Sequence, residues 1–133
     1  MKEEVQAAFS EMLDISTDID KAVLFSPEEI LASNMAPEAQ DAAVAQAQEL
    51  IRLGDLRANE MGSQPLTQLV VEASPGMVFL ARETAEGGMA ILATGRKSSR
   101  VGLVLYDLKT CLRDAREALS PDGGTEVQGS EEA

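Results

Sequence analysis

From Lys2 to Asp14 the apolar positions Val5, Ala8, Phe9, Met12 and Leu13 fall at i, i+3, i+4, i+7 and i+8, one stripe of an amphipathic helix. Ser16, Thr17 and Asp18 interrupt that period. IDKAVLFS and ILASNM then read as two strands joined by Ser26-Pro27-Glu28-Glu29. Pro27 presets the second turn position, Ser26 suits the first, and Val, Leu and Phe suit a half-buried pleat. Asn34 to Pro37 end the pair, with Pro37 placed where a first helical residue is tolerated.

The longest helical pattern runs from Pro37 to Met61, about 36 Å at 1.5 Å per residue. At 100° per residue, Ala39, Ala43, Val44, Ala47, Leu50, Ile51, Gly54, Ala58 and Met61 fill an arc of about 140°, and Leu53 and Leu56 widen it. One sheet contact needs a narrower stripe. The width fits a second apolar partner, or a helix sunk deep in its own domain. Gly54 costs about 1 kcal/mol of helix propensity against Ala, which a close packing contact would offset.

Between Leu66 and Leu119 the pattern changes again. LTQLVVEA, GMVFLARET and GMAILAT are short apolar segments separated by Pro75-Gly76 and Gly87-Gly88. Leu69, Val71 and Ala73 alternate with Gln68 and Glu72, as on a sheet with one solvated face, and Gly87-Gly88 suits a two-residue hairpin turn. A final helix follows, with Val101, Val104, Leu105, Leu108, Cys111, Leu112, Ala115 and Leu119 on one stripe. No crossover helix lies inside the meander, which excludes a doubly wound nucleotide-binding sheet. Beyond Leu119 the sequence SPDGGTEVQGSEEA is polar, acidic and Gly-rich, so residues 120–133 are expected to be a disordered tail behind a domain of residues 1–119.

Composition sharpens this picture mainly by exclusion. The 133 residues suffice for one domain with an aliphatic core, since aromatic residues make up only 3%. The net charge is −12, and after Arg116 five acidic residues follow with no Lys or Arg. Such a balance argues against nucleic acid and against an anionic membrane surface. No apolar run approaches the ~18 residues of a membrane span, and no signal-peptide pattern opens the chain. One cysteine forms no internal disulfide, so a cytoplasmic location is expected.

The chain has no histidine, which removes the commonest general base, the Ser-His-Asp and Cys-His arrangements, and most transition-metal sites. There is no GxxxxGK[ST]. Asp18-Ile19-Asp20 lacks the Gly and distal Glu of a calcium loop and reads as strand-edge charge; Ser63 after Gly62 lacks the rest of a nucleophile elbow. Cys111 lies on the buried stripe and reads as a small core hydrophobe. Arg96-Lys97-Ser98-Ser99-Arg100 is the one basic cluster. It reads either as a solvated loop, with Ser99 capping the last helix, or as a contact for a carboxylate- or phosphate-bearing partner. No catalytic residue, metal or cofactor is expected.

The order helix, two strands, long helix, three strands, helix is carried by VLFSPEEILAS, the Ala/Leu-rich second helix, QLVVEASPGMVFLARE and AILATGRKSSRVGLVLYDLKTCL. Over residues 3 to 119 it resembles the Roadblock/LC7 family, and most closely the stand-alone prokaryotic members that accompany small Ras-like GTPases. Pro27-Glu28-Glu29 stands where members often have an Asp-Gly turn. The resemblance implies an α+β sandwich with a five-stranded antiparallel sheet flanked by helices in the order α-β-β-α-β-β-β-α. It also implies a homodimer built by the long helix and the third strand, with one continuous sheet across both subunits. On this chain that interface would use Ala43, Val44, Ala47, Leu50, Ile51, Gly54, Ala58, Leu69 and Val71.

The expected function is that of a non-catalytic homodimeric regulator or adaptor that binds a Ras-like small GTPase and modulates its nucleotide state or localisation, with Arg96, Lys97 and Arg100 as candidate partner contacts. The alternative is a structural adaptor of the dynein-light-chain type with no effect on GTP turnover. A small-ligand sensor is a third class, disfavoured by the scarcity of aromatic residues to line a pocket.

Overall fold

The stripe of Val5, Phe9 and Met12 forms α1, Lys2–Ile15, and opens the described part of a computed structural model covering residues 2–119. It is followed by β1 (Ile19–Phe25), β2 (Ile30–Ser33), α2 (Pro37–Glu60), β3 (Gln68–Glu72), β4 (Gly76–Arg82), β5 (Ala90–Arg96) and α3 (Val101–Leu119). The strands form one antiparallel sheet in the order β2-β1-β5-β4-β3. The element order and sheet are those expected from the sequence. The expected tail, residues 120–133, lies outside the described residues.

Alternation along the strands sends two sets of side chains to opposite faces. Ala22, Leu24, Phe79, Ala81, Ile91 and Ala93 meet the stripes of α1 and α3 in one cluster. Val23, Phe25, Leu80, Ala90 and Leu92 meet Ala43 and Ala47 of α2 in another. Two helices cover the first face and one covers the second.

Local chemistry sets the ends. Pro37 starts α2 with no side-chain cap, as its missing N–H requires no partner. At the other end Ser63 N donates to Ala58 O and Gly62 N to Asn59 O, with Gly62 at φ +75°, the left-handed closure that glycine adopts without Cβ strain. Ser26 folds the first turn, its hydroxyl accepting from the N–H groups of Glu28 and Glu29 while its own N–H donates to Glu29 O. β2 stops at Ser33 because Asn34 continues the pairing by side chain, accepting from Ala22 N and donating to Asp20 O.

The β4–β5 connection differs from the expected two-residue hairpin. Glu83 N donates to Met89 O, so the loop spans residues 84–88. A two-residue type I′ turn needs positive φ at both central residues, and of the two glycines only Gly87 has it. Glu83 instead organises the longer loop, its Oε1 accepting from Met89 N and from Arg116 on α3.

Candidate protein-interaction site

The face carrying α2 is the less finished side of the molecule. Leu53, Leu56 and Met61 are 47%, 49% and 65% exposed, and Val71 on β3 is also exposed. β3 is an edge strand that pairs only with β4 among the described residues. The opposite edge, β2, has four residues, and Gln6 Nε2 donates to its Leu31 O at 2.8 Å. Edges without such cover template further strand pairing.

A polar node fixes β3 relative to α2. Asp55 on α2 accepts from Leu66 N at 2.8 Å, and Arg82 Nη1 on β4 donates to both Asp55 oxygens and to Leu66 O. Arg82 is mostly buried, so these charge-assisted bonds form away from bulk water, where they hold the strand's start in register. The helix and the edge thus present one joined surface.

The residues expected at a subunit interface divide between the inside and the outside of this surface. Ala43 and Ala47 are buried against the chain's own sheet, and Val44, Ile51 and Leu69 pack partly on the same cluster. Gly54 faces Leu66 of the same chain, whose Cδ2 would lie 2.9 Å from an added Cβ, so the space it opens is filled internally. Leu50 and Ala58 are half-buried, and Val71 is exposed. The available apolar positions are therefore Leu50, Leu53, Leu56, Ala58, Met61 and Val71. Leu53 and Leu56 lie outside the interface set expected from the sequence because the centre of the helix's apolar arc is spent on its own sheet. Their place on the far flank of the arc was the signal.

The basic loop has a structural task that the sequence did not disclose. Asp18 is buried rather than a solvated strand-edge charge, and its carboxylate accepts from Arg96 Nη2 at 2.6 Å, Arg100 N at 2.9 Å and Arg100 Nε at 3.0 Å. The Arg100 backbone N–H and guanidinium hold this carboxyl below its usual range. Asp18 also satisfies an N–H at the start of α3. The Ser99 hydroxyl, expected as the cap, donates to Arg96 O instead. Gly95 permits the fit, since a Cβ there would come within 2.6 Å of Ser99 Oγ and 2.8 Å of Asp18 O. Both guanidiniums remain more than half exposed, and Lys97 is exposed beside them. The cluster is accordingly an anchored cationic surface.

Cys111 is buried, and desolvation, with the Asp114 charge added, pushes its thiol up to about 12. It is inert at neutral pH. Among the described residues no group of three His, Cys, Asp or Glu is arranged to hold a metal ion, and no helix is long and apolar enough to cross a membrane.

A five-stranded antiparallel sheet between an α1/α3 layer and a single long helix is an α+β sandwich of a known kind. The chain has the Roadblock/LC7 fold, as its resemblance to that family implied. It superposes on the Roadblock/LC7 domain from Streptomyces avermitilis with a TM-score of 0.76 at 19% identity, over 86% of this chain and 96% of that one. Myxococcus xanthus MglB matches at 0.71 and 10% identity, over 88% of each chain. The gliding protein MglB from Thermus thermophilus matches at 0.70 and 16%, over 86% of this chain and 90% of that one. No family model and no curated protein sequence matches the chain.

Proposed function

We propose that this protein is a stand-alone Roadblock/LC7 regulator or adaptor. In this reading residues 1–119 form the domain and 120–133 a separate acidic tail. The protein works without catalysis, in the cytoplasm, as a homodimer that binds a Ras-like small GTPase and modulates its nucleotide state or localisation. The observation that carries the reading is the open β3 edge joined to exposed Leu53 and Leu56 of α2 and to Met61 just past its end. Two copies meeting there about a two-fold axis would continue the sheet from β3 to β3 and cover the leucines, removing an aggregation hazard. The composite surface so made is symmetric and acidic overall, and the cationic patch of Arg96, Lys97 and Arg100 offers a separate contact for an acidic partner segment.

The test is GTP hydrolysis and nucleotide exchange by Ras-like GTPases encoded in the same genome, measured with and without this protein. A changed rate, or a stable complex on a sizing column, is expected for one of them. Unchanged rates with no complex would sink the reading. A complex without any change in rate would favour a pure scaffold of the dynein-light-chain type.

A further inference from the structure

Six of the chain's 11 basic residues fall between Arg96 and Arg116, against two acidic ones, although the whole chain carries a net charge of −12. The outer face of α3 gathers several of them. Gly102, Leu103, Tyr106, Lys109 and Arg113 follow one another at short helical steps and form one stripe turned away from the sheet. Leu103 and Tyr106 are 43% and 66% exposed, so no described part of the chain covers the stripe. Lys97 and Lys109 join no ion pair among the described residues. Arg113 has only a loose contact with Asp114 at 3.6 Å, and Arg100 reaches Asp18 through Nε with most of its side chain still in solvent.

The chain itself supplies a match. Residues 120–133 hold Asp122, Glu126, Glu131 and Glu132 and no basic residue. They follow α3 directly, and Ser120-Pro121-Asp122-Gly123 is the residue choice of a type I turn, which reverses a chain. Beyond that turn the charges are spaced alike. Arg100 and Arg113 are 13 residues apart, about 20 Å along a helix axis. Glu126 and Glu132 are six residues apart, about 20 Å in an extended chain, and an even step puts both on the same side. The two rows also begin together. Glu126 lies two residues past Gly124, about 7 Å of extended chain, and Arg113 lies six residues before Leu119, about 9 Å of helix.

We propose that residues 124–132 fold back along the outer face of α3 and dock there, with Glu126 at Arg113 and with Glu131 and Glu132 at Arg100 and Lys97. Exposed ion pairs are individually weak. The tether compensates, because a short linker holds the segment at an effective concentration of roughly millimolar beside its site. The segment thereby covers the cationic patch of Arg96, Lys97 and Arg100, and an acidic partner drawn to that patch must displace it. The docking itself rests neither on the GTPase reading nor on the α2–β3 face.

A nitroxide label on the full chain tests this. Ser130→Cys supplies the one reactive thiol, since Cys111 is buried and its thiol is pushed up to about 12. At low salt the label should broaden the amides of Lys97, Arg100 and Leu103 until most of their signal is lost, while Leu53 and Leu56 across the sheet keep theirs. Signal at the first three should return at about 1 M salt, where the Debye length is about 3 Å. It should also return when Glu126→Gln, Glu131→Gln and Glu132→Gln are combined in the labelled chain. Broadening confined to the last turns of α3, or spread equally over α2 and α3, overturns the proposal. So does broadening at Arg100 that survives both the salt and the three substitutions.

Discussion

The two faces of the sheet are built from similar aliphatic residues but are finished differently. On the α1/α3 face Phe79, Ile91, Leu108 and Val104 are fully enclosed. On the α2 face one helix spends Ala43 and Ala47 on the sheet and leaves Leu53, Leu56 and Met61 in solvent beside an open strand edge. The contrast separates two uses of apolar surface. One closes a domain; the other leaves apolar side chains in solvent. Exposure of scattered leucines means little in itself, but Leu53 and Leu56 on α2 and Met61 at its end, beside an edge strand paired on one side among the described residues, are what motivate the proposed interaction surface.

Five substitutions probe the difference between the two faces and the loops beside them. The largest effect is expected for Leu108→Ala on the enclosed face, which should cost about 2–5 kcal/mol in denaturant unfolding through lost contacts and a cavity. Leu56→Ala, by contrast, should barely change the unfolding of dilute monomer but weaken self-association. A cost for Leu56→Ala in the monomer equal to that of Leu108→Ala would erase the distinction between the faces.

Next comes the node that ties the two layers of the open face. Asp55→Ala leaves Leu66 N without its acceptor and Arg82 with Leu66 O but no carboxylate, and should cost about 1–3 kcal/mol, with faster hydrogen exchange at Leu66 and along β3. Undisturbed exchange there would mean that packing alone positions the edge.

Acid should act on the other end of the molecule. The Asp18 carboxyl is lowered in the folded state, so its contribution is fully present above its unfolded value near 3.8 and is lost as pH falls through its lower folded value. Below about pH 4 wild-type stability should therefore fall, and Asp18→Asn should show a flatter acid limb. Parallel limbs would remove Asp18 as the cause.

The smallest effect on stability is expected for Lys97→Glu, since Lys97 takes no part in holding Asp18. Tm should stay within a degree or so while affinity for an acidic partner falls. Reversing Arg96 and Arg100 as well would strip Asp18 of its cations and confound folding with binding.

The architecture was legible because its signals are local. Helical stripes, the Ser26-Pro27 turn and the absence of a crossover fixed the element order, and α3 was bounded at Val101 and Leu119 from its periodicity alone. Sites that depend on long-range partners were not. Asp18 reads as a strand-edge charge until Arg100, far along the chain, is seen donating to it. Gly54 reads as room for another molecule until Leu66 is found in that space. The α2 arc shows the same limit: a period assigns residues to a stripe, but not which part of the stripe the chain's own sheet covers. Gly87-Gly88 misled because Glu83 organises a longer loop around them.

In the proposed dimer two copies meet at the α2–β3 face. Sedimentation equilibrium of the wild type and of a Leu53→Asp, Leu56→Asp double variant tests it directly, because both side chains are exposed in the protomer and their replacement spares its core. Twice the 14.1 kDa chain mass is expected for the wild type at micromolar concentration, and the single-chain mass, still folded, for the variant. A monomeric wild type, or a variant that remains a dimer, would contradict it.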